Sequence, residues 1–217
     1  AACVFECVQG EGGVNVASSG WLQRLAGLCR RHGVLLIVDD IQAGCGRTGT
    51  FFSFEPSGIV PDLVTVSKAI GGIGMPMSLV LIRRDLDLWR PGEHNGTFRG
   101  NNLAFVAARA ALESYWADDA LCRGVEARAA EVRGRLEAVC VRHPSAGFTL
   151  KGRGLYQGLR CPDPALAAAI SRLAWDAGLI AERAGPEDEV VKIMPPLTIS
   201  PAELERGLAA LDLAVDG

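Results

Sequence analysis

The sequence is poor in several features that would each announce a function. It has no run of basic residues, and its 22 Lys and Arg are nearly matched by 25 Asp and Glu, for a net charge of −3. Such a balance argues against nucleic acid or an anionic membrane surface as a partner. No apolar stretch approaches the roughly 20 residues that a membrane-spanning helix needs, and the first residues do not read as a leader. The seven cysteines (Cys3, Cys7, Cys29, Cys45, Cys122, Cys140 and Cys161) are odd in number and lack the close paired spacing of a metal site. Free thiols in a reducing cytoplasm are expected. Repeats and low-complexity tracts are absent too. The chain opens at "AACVFECVQGEGG" without methionine and enters a strand-like run almost at once, so these residues are expected to be the later part of a longer protein.

What is present is ordinary for a globular chain of 217 residues: 49% apolar and 22% charged. That is long enough for one good core, or for one domain plus a smaller one. "CVFECV" (3–8) is strand-like. Residues 18–33 carry helical apolar spacing at Trp21, Leu22, Leu25 and Leu28, with Ser18 or Ser19 as cap and Gly33 as stop. "VLLIV" (34–38) is continuous and apolar, the mark of a strand buried on both faces of a parallel sheet, and the three segments together predict a β-α-β unit. Further strands are expected at 62–68 and 78–84, and helices at 101–116 and 124–143. After "PSAG" the texture changes to strand (154–160), helix (163–178), strand (189–194) and helix (200–215), the last with Ser200 as cap and Pro201 at its first position. An α/β domain over 1–118, mainly a parallel sheet with helices, is therefore expected to give way to a smaller α+β domain over 119–217.

Ligands of open parallel sheets bind at the carboxyl ends of the strands. Two such ends carry opposite charges: Asp39 after "VLLIV" and Lys68 after "LVTVS". Lys68 sits in "SKAIGG", whose small residues leave room beside the amine, and low-dielectric walls ease loss of its proton, as a nucleophilic lysine requires. A carboxylate at a neighbouring strand tip suits the protonated ring nitrogen of pyridoxal phosphate, a cofactor held by a lysine. Two other chemistries compete. "GCGRTG" (44–49) matches the dinucleotide pattern G-x-G-x-x-G, but "DDIQA" separates it from its strand and "TFFSFEP" does not open a helix. Asp39 and Asp40 could serve as hard metal ligands, but neighbours on a strand point to opposite faces. Trp89, Trp116 and Trp175 read as packing residues, His94 as a loop residue, and Cys45 as a small filler with no histidine nearby in sequence to activate it.

"FECVQGEGG", "LLIVDDIQAGCGRTG", "VSKAIGG", "EHNGTFRGNN" and "KIMPPLTIS", in this order and across almost the whole chain, resemble the class III pyridoxal-phosphate aminotransferases of fold type I. Within the class, "PGEHNGTFRGNNLAF" and "DDIQAGCGRTG" are most similar to the branch that passes an amino group from glutamate to aspartate semialdehyde in ectoine synthesis; ornithine, acetylornithine and 4-aminobutyrate types are the alternatives. The resemblance implies that residues 1–118 are the C-terminal part of a cofactor-binding large domain. It implies that Lys68 holds pyridoxal 5'-phosphate covalently and later shuttles the substrate proton, while Asp39 keeps the ring nitrogen protonated. Gln42 would approach the phenolic oxygen, and Thr97 the phosphate of the partner subunit's cofactor in a homodimer with a shared site. Gly100 and Asn101 would belong to the loop of Thr97. Glu6 and Glu11 match acidic positions, and Glu11 would act as a gate that neutralises a cation in one half-reaction and releases it in the other.

One position departs from the family. Where an arginine commonly precedes "x-x-P-P-L" and grips the carboxylate of 2-oxoglutarate, this sequence has Lys192. A point charge replaces a planar fork there, which is not conservative at a bidentate site; Lys192 or Arg99 is expected to bind the carboxylate. The segment that would cradle the phosphate and stack on the ring is not found in these residues.

Overall fold

Ser18 opens the first helix by accepting the Trp21 N–H at 3.3 Å, and Gly33, at φ +60°, ends it. This helix, α1 (Ser19–His32), buries Leu22 and Cys29 on one side. They pack with Leu36 and Val38 of the strand that follows, so the predicted β-α-β unit forms as strand β1 (Ala2–Phe5), α1 and strand β2 (Leu35–Asp39). The computed structural model describes residues 1–72 and 74–217. Its chain divides into two compact units: residues 1–7, 17–45 and 50–120 form the first, and residues 8–16, 46–49 and 121–217 the second.

In the first unit the sheet order is β1-β2-β3-β4, with β3 at Leu63–Val66 and β4 at Leu79–Ile82. β1, β2 and β3 run parallel, whereas β4 lies antiparallel to β3; an antiparallel edge on a parallel sheet is a common arrangement. Within these residues the continuous apolar run of β2 is buried on one face. Leu36 and Val38 are buried, but Ile37 and Asp39 are only partly so, and Val4, opposite Ile37 in register, is 63% exposed. Helix α2 (Asn102–Tyr115) begins at Asn101, whose side chain accepts the N–H groups of Leu103 at 2.9 Å and Ala104 at 3.4 Å. Asn101 thus serves as a helix cap.

The second unit contains α3 (Ala120–Arg142, its first residue excepted), α4 (Pro164–Asp176) and α5 (Pro201–Asp216). Its sheet has the order β5-β6-β8-β7 and is antiparallel throughout. β5 (Thr149–Arg153) and the two-residue β7 (Arg183–Ala184) escape the sequence pattern, while β6 (Tyr156–Arg160) and β8 (Val190–Ile193) fall where expected. "TLKGR" has too little apolar alternation to read as a strand alone; pairing with β6 over five residues makes it one. Val132 and Leu136 of α3, Ile170 of α4, Leu208 and Leu211 of α5, and Leu159 and Val191 of the sheet form one core cluster. Ser200 and Glu203 close the start of α5 with a reciprocal capping box. Trp89 and Trp175 are not packing residues: they are 57% and 64% exposed.

Gly154 shows how tightly residues 46–49 join this unit. At φ +60° a Cβ on it would lie 2.6 Å from the Arg47 carbonyl oxygen, whereas at Gly33, also at φ +60°, a Cβ would meet nothing within 4 Å. Gly33→Ala is expected to cost about 1–2 kcal/mol, the penalty of the left-handed backbone alone. Gly154→Ala must also displace backbone, and about 3 kcal/mol or more is expected. Chemical denaturation of the two variants in the full-length protein measures the difference; equal losses would refute the contact.

Candidate active site at the carboxyl edge of the parallel strands

Asp39 ends β2, and Lys68 lies two residues beyond the end of β3. In the parallel register Asp39 stands opposite Thr65, and the Asp40 N–H donates to the Thr65 carbonyl at 2.9 Å. The two strands therefore release their opposite charges at one sheet edge. Asp39 and Asp40 part company there. Asp40 is fully buried and accepts the Ser53 N–H at 2.9 Å and the Ser53 hydroxyl, while its carbonyl takes the Gly44 N–H at 3.0 Å. Its charge holds the following turn. Asp39 stays half-buried, with one carboxylate oxygen fixed by the Ile41 N–H at 3.0 Å. Gln42 is half-buried in the same turn.

Lys68 is exposed and sits at φ +52°, a left-handed conformation that costs a residue with a side chain about 1–2 kcal/mol. Strain of this kind concentrates at functional positions. Ser67 anchors the turn by donating its hydroxyl to the Met77 carbonyl at 2.7 Å. Gly72 lets α2 approach: a Cβ there would come within 2.8 Å of the Ala107 carbonyl oxygen. Sequence reasoning missed Thr65. It shares Asp39's face by register, and its Oγ1 is buried without a hydrogen-bond partner. Only strand pairing reveals it.

Thr97 and Arg99 lie in the exposed stretch 91–100, where the Arg99 guanidinium donates to the His94 carbonyl and Trp89 stacks on His94 with ring centroids 4.9 Å apart. The "GCGRTG" loop lacks the context of the dinucleotide fingerprint: a turn and the short 3₁₀ segment Glu55–Ser57 follow it where a helix would open. Its Arg47 belongs to the second unit. There the Arg47 carbonyl accepts the Leu155 N–H at 3.0 Å and the guanidinium donates to the Leu155 carbonyl at 3.1 Å, with burial pulling its pKa down to about 10. Cys45 is buried, and that burial, together with the nearby Asp40 charge, pushes its thiol up to about 12. It stays protonated, as befits a filler.

The second unit assembles a different cluster. Residues 8–16 form a loop closed by the Val8–Val16 bridge, and Gly13, at φ +98°, comes so close that a Cβ on it would lie 3.2 Å from the Gly185 Cα. The Gly185 N–H donates to the Glu11 carbonyl at 2.9 Å, which fixes Glu11 beside β7 and β8. Lys192 of β8, its side chain only 4% exposed, then meets Glu11 at 3.1 Å and Glu182 at 3.1 Å. Burial alone would pull the Lys192 pKa down, but hydrogen bonds and charge from Glu182 and Glu11 together outweigh it and leave it raised. The structure thus brings Glu11 and Lys192 together and adds Glu182, which no spacing in the sequence marks. Glu182 and Lys192 also border a cavity of about 880 Å³. Asp39, Gln42, Lys68, Thr97 and Arg99 belong to the first unit, and Glu11, Glu182 and Lys192 to the second.

The family model for class-III aminotransferases matches residues 1–215. The chain belongs to the class III aminotransferases. Similar members include the diaminobutyrate–2-oxoglutarate transaminases of Virgibacillus pantothenticus, 51% identical over 216 residues (100% of this chain, 52% of the relative), and of Streptomyces anulatus, 56% identical over 211 residues (97% and 50%). Among solved structures, the ornithine aminotransferase of Toxoplasma gondii matches with a TM-score of 0.89 at 32% identity, covering 99% of this chain and 51% of that one. The N-acetylornithine aminotransferase of Stenotrophomonas maltophilia matches with a TM-score of 0.87 at 34% identity, covering 100% and 56%. The chain spans about half the length of the relatives it matches. Class III aminotransferases are pyridoxal-phosphate enzymes, and these residues fit that group: a lysine and a carboxylate leave one sheet edge, and the partnerless Thr65 hydroxyl is buried on the carboxylate's face.

The Lys192 cluster sets a pH dependence of stability. A lysine whose pKa is raised by folding contributes fully below its unfolded value of about 10.4 and loses that contribution as pH rises through the higher folded value. The stability advantage of the parent full-length protein over Lys192→Met is therefore expected to be flat from pH 6 to 9 and to shrink above pH ~10.5. Urea titrations across that range test it; an advantage that grows in alkali would refute it.

Proposed function

We propose that the full-length protein is a pyridoxal-phosphate-dependent transaminase that moves an amino group from glutamate to aspartate semialdehyde, giving 2-oxoglutarate and L-2,4-diaminobutyrate in the cytoplasm. The observation that carries the chemistry is Asp39 and Lys68 at the carboxyl ends of neighbouring parallel strands. The substrate assignment rests on the similarity to diaminobutyrate–2-oxoglutarate transaminases. In this reading residues 1–118 are the later part of the cofactor-binding domain and 119–217 a small C-terminal domain. The ornithine and acetylornithine types are the second reading, favoured by the structural matches.

When bound, the cofactor supplies an electron sink for the carbon that loses its proton. Lys68 Nζ would hold the cofactor and, once freed, would serve as the base that carries the proton between the substrate carbon and the cofactor carbon. Asp39 places a negative charge against the ring nitrogen and keeps it protonated. Gln42 donates toward the phenolic oxygen. Lys192 holds a substrate carboxylate, with Arg99 as a further candidate, and Glu11 covers the ammonium when no carboxylate is there. Thr97 reaches the phosphate held by a partner subunit. The exposed apolar side chains Phe98 (97%), Leu103 (70%) and Val106 (68%) support a homodimer that covers them.

Adding pyridoxal phosphate to the full-length protein is expected to give a visible absorbance band and glutamate-dependent formation of diaminobutyrate, both lost in Lys68→Ala. An unchanged spectrum in that variant would reject the mechanism. Val106→Asp is expected to shift the full-length protein from dimer to monomer in sedimentation; a variant that stays dimeric would remove this surface from the interface.

A further inference from the structure

One carboxylate is enough to neutralise the buried Lys192 ammonium, yet the structure provides two. Glu11 and Glu182 each approach Nζ to 3.1 Å, and both are well exposed, at 70% and 75%, while the lysine side chain is at 4%. The closed cluster thus carries a net single negative charge, and its negative atoms face solvent. The two arms are also held differently. Glu11 rides on a loop tied through its carbonyl to Gly185. Glu182 sits directly before β7, and its carbonyl accepts the Lys192 N–H at 2.8 Å, so its backbone is locked to the lysine it faces.

We infer that Glu182 is a specificity-determining second arm of the Lys192 gate, which strengthens binding of the diamino acid of the reaction, with its second ammonium group, and weakens binding of the dicarboxylates on the reaction's other side. This inference rests on the transaminase reading above. In the closed state the excess negative charge attracts the diamino acid, the product of the proposed reaction and the donor of its reverse, whose reacting amine is followed by another ammonium. In the open state a dicarboxylate must displace both glutamates before it reaches the ammonium, so each glutamate weakens its binding. The same side chain therefore acts in opposite directions on the two substrate classes, which a purely structural ion pair would not do.

The test is Glu182→Gln in the full-length protein, with Glu182→Asp as the rescue. Calorimetry on the cofactor-free protein is expected to show 2-oxoglutarate binding about fivefold tighter in Glu182→Gln, the size of a single exposed charge contact. On the cofactor-loaded protein, KM for L-2,4-diaminobutyrate is expected to rise about fivefold with kcat nearly unchanged, while KM for 4-aminobutyrate, which lacks the second ammonium, stays put. Glu182→Asp should restore both. Weaker binding of all three ligands, or no change in any, would overturn the inference while the parent enzyme's turnover leaves the transaminase reading standing. A parent protein that converts neither amine would overturn that reading and the inference with it.

Discussion

The parallel pairing of β2 with β3 is the constraint from which the site follows. The hydrogen bond from the Asp40 N–H to the Thr65 carbonyl closes that ladder at its carboxyl end. A slip of one residue would turn every side chain of β2 to the other face. Asp39 would then enter the core, and Asp40 would leave Ser53. Because Leu36 and Val38 must meet α1 and the core around Cys29, the register is specified by burial rather than by the charged residues themselves. The chemistry at the strand tips is thus held by packing several residues away.

Adjacent aspartates illustrate how a strand divides labour. Asp40 is wholly enclosed and spends its acceptor capacity on Ser53 and the turn that follows. Asp39, one residue earlier, keeps a half-buried carboxylate at the edge. The local donors that Asp40 takes fix a rigid turn, and that turn steadies its neighbour. The left-handed backbone of Lys68 adds a second fixed feature at the same edge, with the Ser67 hydroxyl anchoring the turn.

In the second unit glycines do for a loop what register does for the sheet. Gly13 lets residues 8–16 come close to Gly185 beside β7, and Gly154 admits residues 46–49 against the start of β6. Side chains there would hold those segments away, and Glu11 would not reach Lys192. The lysine itself tolerates burial because two carboxylates outweigh its desolvation.

Much of this was legible in the chain. Periodicity, caps and stops located helices α1 to α5 and most strands, since Ser18, Gly33 and Ser200 signal their roles locally; the cap role of Asn101 emerged only from the structure. Asp39 and Lys68 stood out because charge at the end of an apolar run is a one-dimensional signal. β5, the two-residue β7, Thr65 and Glu182 did not stand out. Each owes its role to a partner far away in sequence: β6 for β5, β8 for β7, the β2 register for Thr65, and Lys192 for Glu182. The sequence by itself determined where helices begin and end and which residue types carry the charge. Which of those charges share an edge or a buried contact was decided only by tertiary pairing, because distance through space is set by strand register and close backbone approach, and neither is written in local spacing.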